Sequence, residues 1–128
     1  MPEIKIQPLF AKPLAFTNIH VSDNDIEVIK ELEYKKIEPD GFQSVDDMIC
    51  DRLPDLTKEI ESQVKAFNDN AMNYQSDIKM TRMWSTKFLP GQQDEVHYHM
   101  NSTYSFVVYL DKGMSCQFQS FGQEELFK

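Results

Sequence analysis

The sequence predicts an α+β domain in which N-terminal helices pack on an antiparallel sheet. Three observations carry this. Apolar residues recur at helical spacing through the first half of the chain, the period shortens to two from Ile78 onward, and turn residues such as Pro39-Asp40-Gly41 and Pro90-Gly91 punctuate both halves. With 128 residues, 41% hydrophobic and 27% charged, the chain has material for a single ordered domain with a buried core, spanning 1–128. The helical part is expected over 22–73 and the sheet part over 78–121.

The first segment, Ile4-Lys5-Ile6-Gln7-Pro8-Leu9-Phe10, alternates but contains Pro8 and soon meets Pro13, which suits an edge strand or an extended arm. Residues 14–21 form a second extended piece. Ser22-Asp23-Asn24-Asp25 then signals a helix start, because short oxygen-bearing side chains accept from unpaired N–H groups and acids favour the positive helix end. Ile26, Val28, Ile29, Leu32 and Glu33 follow at helical spacing, and lysines near Tyr34 suit the other end. After the Pro39-Asp40-Gly41 turn, Ser44-Val45-Asp46-Asp47 reads as another helix start. Val45, Met48, Ile49 and Leu53 form its inward side, and Pro54 stops it. A third helix begins near Pro54 with Leu56, Ile60, Val64 and Phe67 one or two turns apart, and weakens at Asn68-Asp69-Asn70.

In the sheet part, Met80, Trp84 and Phe88 share one strand face and Thr81, Met83, Ser85 and Lys87 the other. Tyr104-Ser105-Phe106-Val107-Val108-Tyr109-Leu110 is the clearest strand by composition. Asp111-Lys112-Gly113 would turn it into a partner strand over 114–121.

The formal net charge is -8, from 13 basic and 21 acidic residues, with the acids concentrated between Asp23 and Glu61. Such a field repels a phosphate backbone, which argues against nucleic acid as a partner while leaving room for a small local basic patch. Cys50 and Cys116 lie far apart with no metal or redox spacing and read as buried free thiols. No apolar stretch approaches the ~20 residues of a membrane span, and no leader precedes the first strand, so a cytoplasmic protein is expected.

The chemistry-bearing residues centre on Val96-His97-Tyr98-His99. On an extended chain His97 and His99 project from one face, where two imidazoles can share a metal ion. Asp94 and Glu95 offer carboxylates close by, and imidazoles with a carboxylate and open positions form the ligand set of mononuclear non-heme iron. His20 has no titratable neighbour at a recognisable spacing and reads as structural. Asp23 to Asp25 and Asp46-Asp47 read as helix N-terminal acids. Ser105 and Ser120 lack a nucleophile elbow, Cys50 lacks a histidine nearby in sequence, and no glycine loop could cradle a phosphate.

Trp84-Ser85-Thr86, Pro90-Gly91, His97-Tyr98-His99 and Ser105-Phe106-Val107-Val108-Tyr109-Leu110 together resemble the core of the 2-oxoglutarate and Fe(II)-dependent oxygenases of phage and bacterial type. Leu9-Phe10-Ala11-Lys12-Pro13, Gly41-Phe42-Gln43-Ser44 and Leu53-Pro54-Asp55-Leu56 are similar to that family's N-terminal segments. The resemblance implies the front half of a double-stranded β-helix, a jelly roll. It also implies His97 as first metal ligand and His99 where most such enzymes carry an acid, with Fe(II) and 2-oxoglutarate as cofactors. The sequence departs from the family's pattern in that no histidine follows His99 and no arginine follows Arg82, so the distal ligand and the oxoacid clamp have no counterpart.

The expectation is therefore a shortened relative of these oxygenases that acts as an interaction or structural module, a phage virion component in a phage setting. A sheet edge left open after Phe121 is expected to pair with a protein partner or with another copy, giving an oligomer. Two alternatives stay open: an active hydroxylase whose third ligand comes from Asp94, Glu95, Asp111, Glu124 or another subunit, and an unrelated α+β binding protein.

Overall fold

The computed structural model describes residues 3–5, 13–94, 99, 102–110, 116–120 and 123–127. The chain divides into two compact units, Met1–Val96 and His97–Lys128. The first is α+β: two helices and a three-stranded antiparallel open sheet.

Helix α1 spans Asp23–Lys30. The predicted start holds, since Ser22 Oγ accepts from the Asp25 N–H at 3.1 Å. Asp23 and Asp25 occupy the first turn, and one carboxylate oxygen of the buried Asp25 has no hydrogen-bond partner among the described residues, close to the positive helix end. The helix stops several residues before the expected Tyr34. There the backbone leaves the helix to become strand β1, Tyr34–Lys36, and the Tyr34 hydroxyl folds back to donate to the Ile29 carbonyl at 2.9 Å. The Tyr34 hydroxyl thus adds to the long Leu32 N–H bond that this helix-end carbonyl accepts at 3.4 Å.

Strand β1 pairs antiparallel with β2, Phe42–Ser44, and β2 pairs with β3, Thr86–Lys87. Two strands of the sheet thus lie between the helices, where the sequence pattern suggested a helix end, a turn and a second helix start. The β1–β2 connection turns at Gly41, whose φ of +94° suits glycine. A Cβ there would also lie 2.5 Å from the Phe88 ring.

The helix expected from Val45 to Leu53 is absent. Asp46 Oδ1 accepts from the Met48 N–H at 2.8 Å and Ser44 Oγ donates to the Asp46 carbonyl at 2.8 Å, so the side chains close a turn that competes with a helix. A short 3₁₀ turn, Ile49–Arg52, follows. Ile49, Cys50 and Leu53 are buried, whereas Val45 and Met48, expected inward, stay exposed.

Helix α2 spans Pro54–Phe67 as predicted, with Pro54 in its first turn, where a missing N–H costs nothing. Leu56 and Ile60 join Ile29, Leu32, Ile49, Leu53 and Met83 in the core. A π-helical turn, Asn68–Met72, prolongs α2.

The strand expected over 80–88 shrinks to β3 and one isolated parallel bridge between Met83 and Met48. Met83 donates to the Asp47 carbonyl and accepts from the Ile49 N–H, both at 3.1 Å. This part of the chain must follow β2 and then the reversed turn after it, so no single straight ladder can form.

In the second unit, β4, Cys116–Ser120, pairs antiparallel with β5, Gln123–Phe127. The partner expected for β4 was the segment 104–110. That segment, expected as the clearest strand, alternates in burial, with Tyr104, Phe106 and Val108 half-buried and Ser105, Val107 and Tyr109 exposed, but forms no ladder among the described residues. Only two residues separate β4 from β5, and closing so short a loop costs less chain entropy than reaching back. The turn expected at Asp111-Lys112-Gly113 lies outside the described residues. Among the described residues no helix is long and apolar enough to cross a membrane.

Candidate functional site

The ligand set expected for iron is only partly described. His97, Glu95 and Asp111 lie outside the described residues. Asp94, in the first unit, and His99, in the second, are exposed, and Glu124 belongs to β5. Among the described residues no three His, Cys, Asp or Glu side chains come together to hold a metal ion.

The remaining candidates have local explanations. His20 is exposed. Cys50 is a buried free thiol whose pKa is pushed up by burial and by the neighbouring Asp51, which makes it a poor nucleophile. Cys116 and Ser120 belong to β4. Ser105 is exposed, its hydroxyl 3.4 Å from that of Ser102. Asp46 and Asp47 are not helix caps, as expected, but ion-pair partners. Asp46 meets Arg52 at 3.3 Å, and Asp47 meets Arg82, whose guanidinium lies 5.5 Å from the Trp84 ring centroid. These pairs tie the turn after β2 to its neighbours.

What the first unit does present, among the described residues, is an unpaired sheet edge. The Val45 N–H donates to the Glu33 carbonyl at 2.9 Å and the Ile37 N–H donates to the Gly41 carbonyl at 3.0 Å. Alternate residues of an antiparallel strand point their backbone groups to opposite sides. Glu33, Lys35 and Ile37 thus face β2, and the N–H and C=O groups of Tyr34 and Lys36 face away from the sheet. On the far side β3 is equally an edge strand, since the strand order is β1-β2-β3.

Side chains along one sheet face follow from the register. Lys36, Phe42 and Lys87 form one cross-strand row, and Tyr34 pairs with Ser44 in the next. The Tyr34 oxygen sits 2.9 Å from Ser85 Oγ, which locks this second row. Lys87 Nζ lies 3.8 Å from the Tyr34 ring centroid, a cation–π arrangement across the sheet. Phe42 remains 39% exposed between the two lysines, enough apolar surface to bury against a partner. This is a local basic patch on an acidic chain.

Sequence reasoning read the lysines of β1 as the end of a helix and missed the strand. The signal was available: Tyr34-Lys35-Lys36-Ile37 and Phe42-Gln43-Ser44 flank a Pro-Asp-Gly turn, which is a hairpin pattern. No family model, no curated protein and no solved structure matches the chain.

Proposed function

We propose that this chain is an interaction module that takes up a partner's extended segment along the edge of β1. In this reading it is a shortened relative of the 2-oxoglutarate and Fe(II)-dependent oxygenases, keeping the front half of their double-stranded β-helix as a frame for contacts. The observation that carries the proposal is the outward-facing backbone of Tyr34 and Lys36 beside the exposed Phe42. An added strand would satisfy those backbone groups and cover Phe42. Lys35 and Lys36 disfavour pairing of this edge with its own copy, because like charges would meet, and favour a partner segment bearing acids.

The test is selection of binding peptides from a random displayed library, on the wild type and on Lys36→Pro. Proline at position 36 removes an N–H that the protein's own ladder does not use, so the fold keeps its hydrogen bonds while the edge loses a donor. Enrichment of extended acidic peptides that fail on Lys36→Pro is the expected result. Peptides that bind both proteins equally would overturn the proposal. An active hydroxylase would instead bind stoichiometric Fe(II) and show a chelate band with 2-oxoglutarate, both lost in a His97→Ala, His99→Ala variant.

A further inference from the structure

Beside α2 lies a second, chemically different surface. The last turns of the helix and the returning segment 73–79 flank an open groove of about 700 Å³. Its outer wall is held in place by three local features. The π-helical turn Asn68–Met72 widens the end of α2, Asn73 reverses the chain in the left-handed region at φ 54°, and the Asn73 N–H donates to the Asn68 carbonyl at 2.6 Å. Asn68, 4% exposed, uses both ends of its side-chain amide on the backbone of Tyr74. Turns of the π type recur at functional sites.

The groove's chemistry narrows the ligand class. An apolar ligand finds little to bury against, since Ile78 is the aliphatic side chain of the lining and is itself half-buried. An anion meets three acids, Glu61, Asp69 and Asp77, against two lysines, of which Lys65 pairs with Asp69 at 2.7 Å and Lys79 lies at the end of the returning segment, so the lining keeps a net negative charge. A bare metal ion is not served, because among the described residues no three ligating side chains converge. What the lining does offer is a mixture of acceptors and donors, from Glu61 and Ser62 on the helix and from Gln75 and Asp77 on the returning segment, together with Tyr74, a lining residue that is 47% exposed. Carboxylates and amides side by side suit vicinal hydroxyl groups, which both donate and accept. An exposed aromatic ring suits the C–H face of a pyranose, since it buries that apolar face while its own edge stays wet.

We propose that this groove binds a neutral carbohydrate chain. The site stands independently of the strand edge, and either can fail without the other.

The test is a titration of the isotope-labelled full chain with maltohexaose, cellohexaose and chitohexaose, followed by NMR, with a heparin hexasaccharide as the anionic comparison. At least one neutral sugar shifts the resonances of residues 74–79 and of the last turns of α2. Its affinity changes less than about twofold between ~50 and ~500 mM salt, because a neutral ligand has little charge to screen. Tyr74→Ala and Asp77→Asn each weaken binding about tenfold or more, the loss expected from ~1.4 kcal/mol of contact, while Lys36→Pro binds as the wild type does. Asp77→Asn changes an exposed side chain, so it separates loss of binding from loss of fold. The proposal is overturned if no neutral sugar shifts these resonances, if only the heparin hexasaccharide binds, or if binding survives both substitutions.

Discussion

Asn68 and Tyr74 are joined by a matched pair of hydrogen bonds: Asn68 Nδ2 donates to the Tyr74 carbonyl at 3.0 Å and the Tyr74 N–H donates to Asn68 Oδ1 at 3.1 Å. A buried side chain thereby does for an irregular segment what a strand partner does for a sheet. Asn68→Ala removes both of these hydrogen bonds and should destabilise the first unit by about 1–3 kcal/mol. Asn68→Asp keeps the acceptor and loses the donor, and should fall between. Urea unfolding of the three proteins checks the order.

Gly41 and Phe88 are in close contact at the β1–β2 turn. Gly41→Ala combines a strained positive φ with a Cβ that meets the Phe88 ring, and should cost about 1–3 kcal/mol. Phe88→Leu in the same chain relieves the contact with the ring but neither the backbone strain nor the 3.0 Å approach to the Lys87 carbonyl oxygen. A double-mutant cycle measures the coupling, and simple additivity of the two changes would contradict the contact.

The Tyr34 hydroxyl links the end of α1 to Ser85, the residue before β3. Tyr34→Phe keeps the ring under Lys87 and removes both hydrogen bonds, which should cost about 1–2 kcal/mol. A thermal melt of the two proteins decides this, with an unchanged midpoint counting against the role given to the hydroxyl.

Cys50 has a thiol pKa raised above its ordinary value by burial. In the unfolded chain the thiol ionises at its ordinary value, so the folded state loses relative stability as pH climbs through that value and on to the raised one. Below the ordinary value the contribution is fully present. The wild type should therefore lose stability on alkaline titration more steeply than Cys50→Ala, although Cys50→Ala starts from a lower value because of the volume removed. Parallel slopes would contradict the shift.

Where one force acted alone, the sequence was readable. Ser22 caps α1 and Pro54 opens α2 because capping and proline chemistry are local, and the apolar spacing of Leu56 and Ile60 found the core. Where local signals competed, it was not. Asp46 and Ser44 have the look of a helix start, but their side chains close a turn instead, and only the neighbouring sheet decides between the two. The same competition hid β1, whose lysines suit a helix end and an edge strand equally well. The pairing of β4 with β5 depended on loop closure, which periodicity does not encode. For the site, His97 and His99 were conspicuous by spacing, whereas the open edge of Tyr34 and Lys36 appears only once the ladder shows which backbone groups are already used.

The most direct measurement of the proposed role is amide hydrogen exchange at Tyr34 and Lys36, with and without a peptide selected on the wild type. In the free protein both amides face away from the ladder and should exchange quickly, while those of Ser44 and Val45 are slowed by their bonds within the sheet. On peptide binding, the Tyr34 and Lys36 amides should become protected. Protection that appears elsewhere while these two amides continue to exchange freely would contradict pairing along the β1 edge.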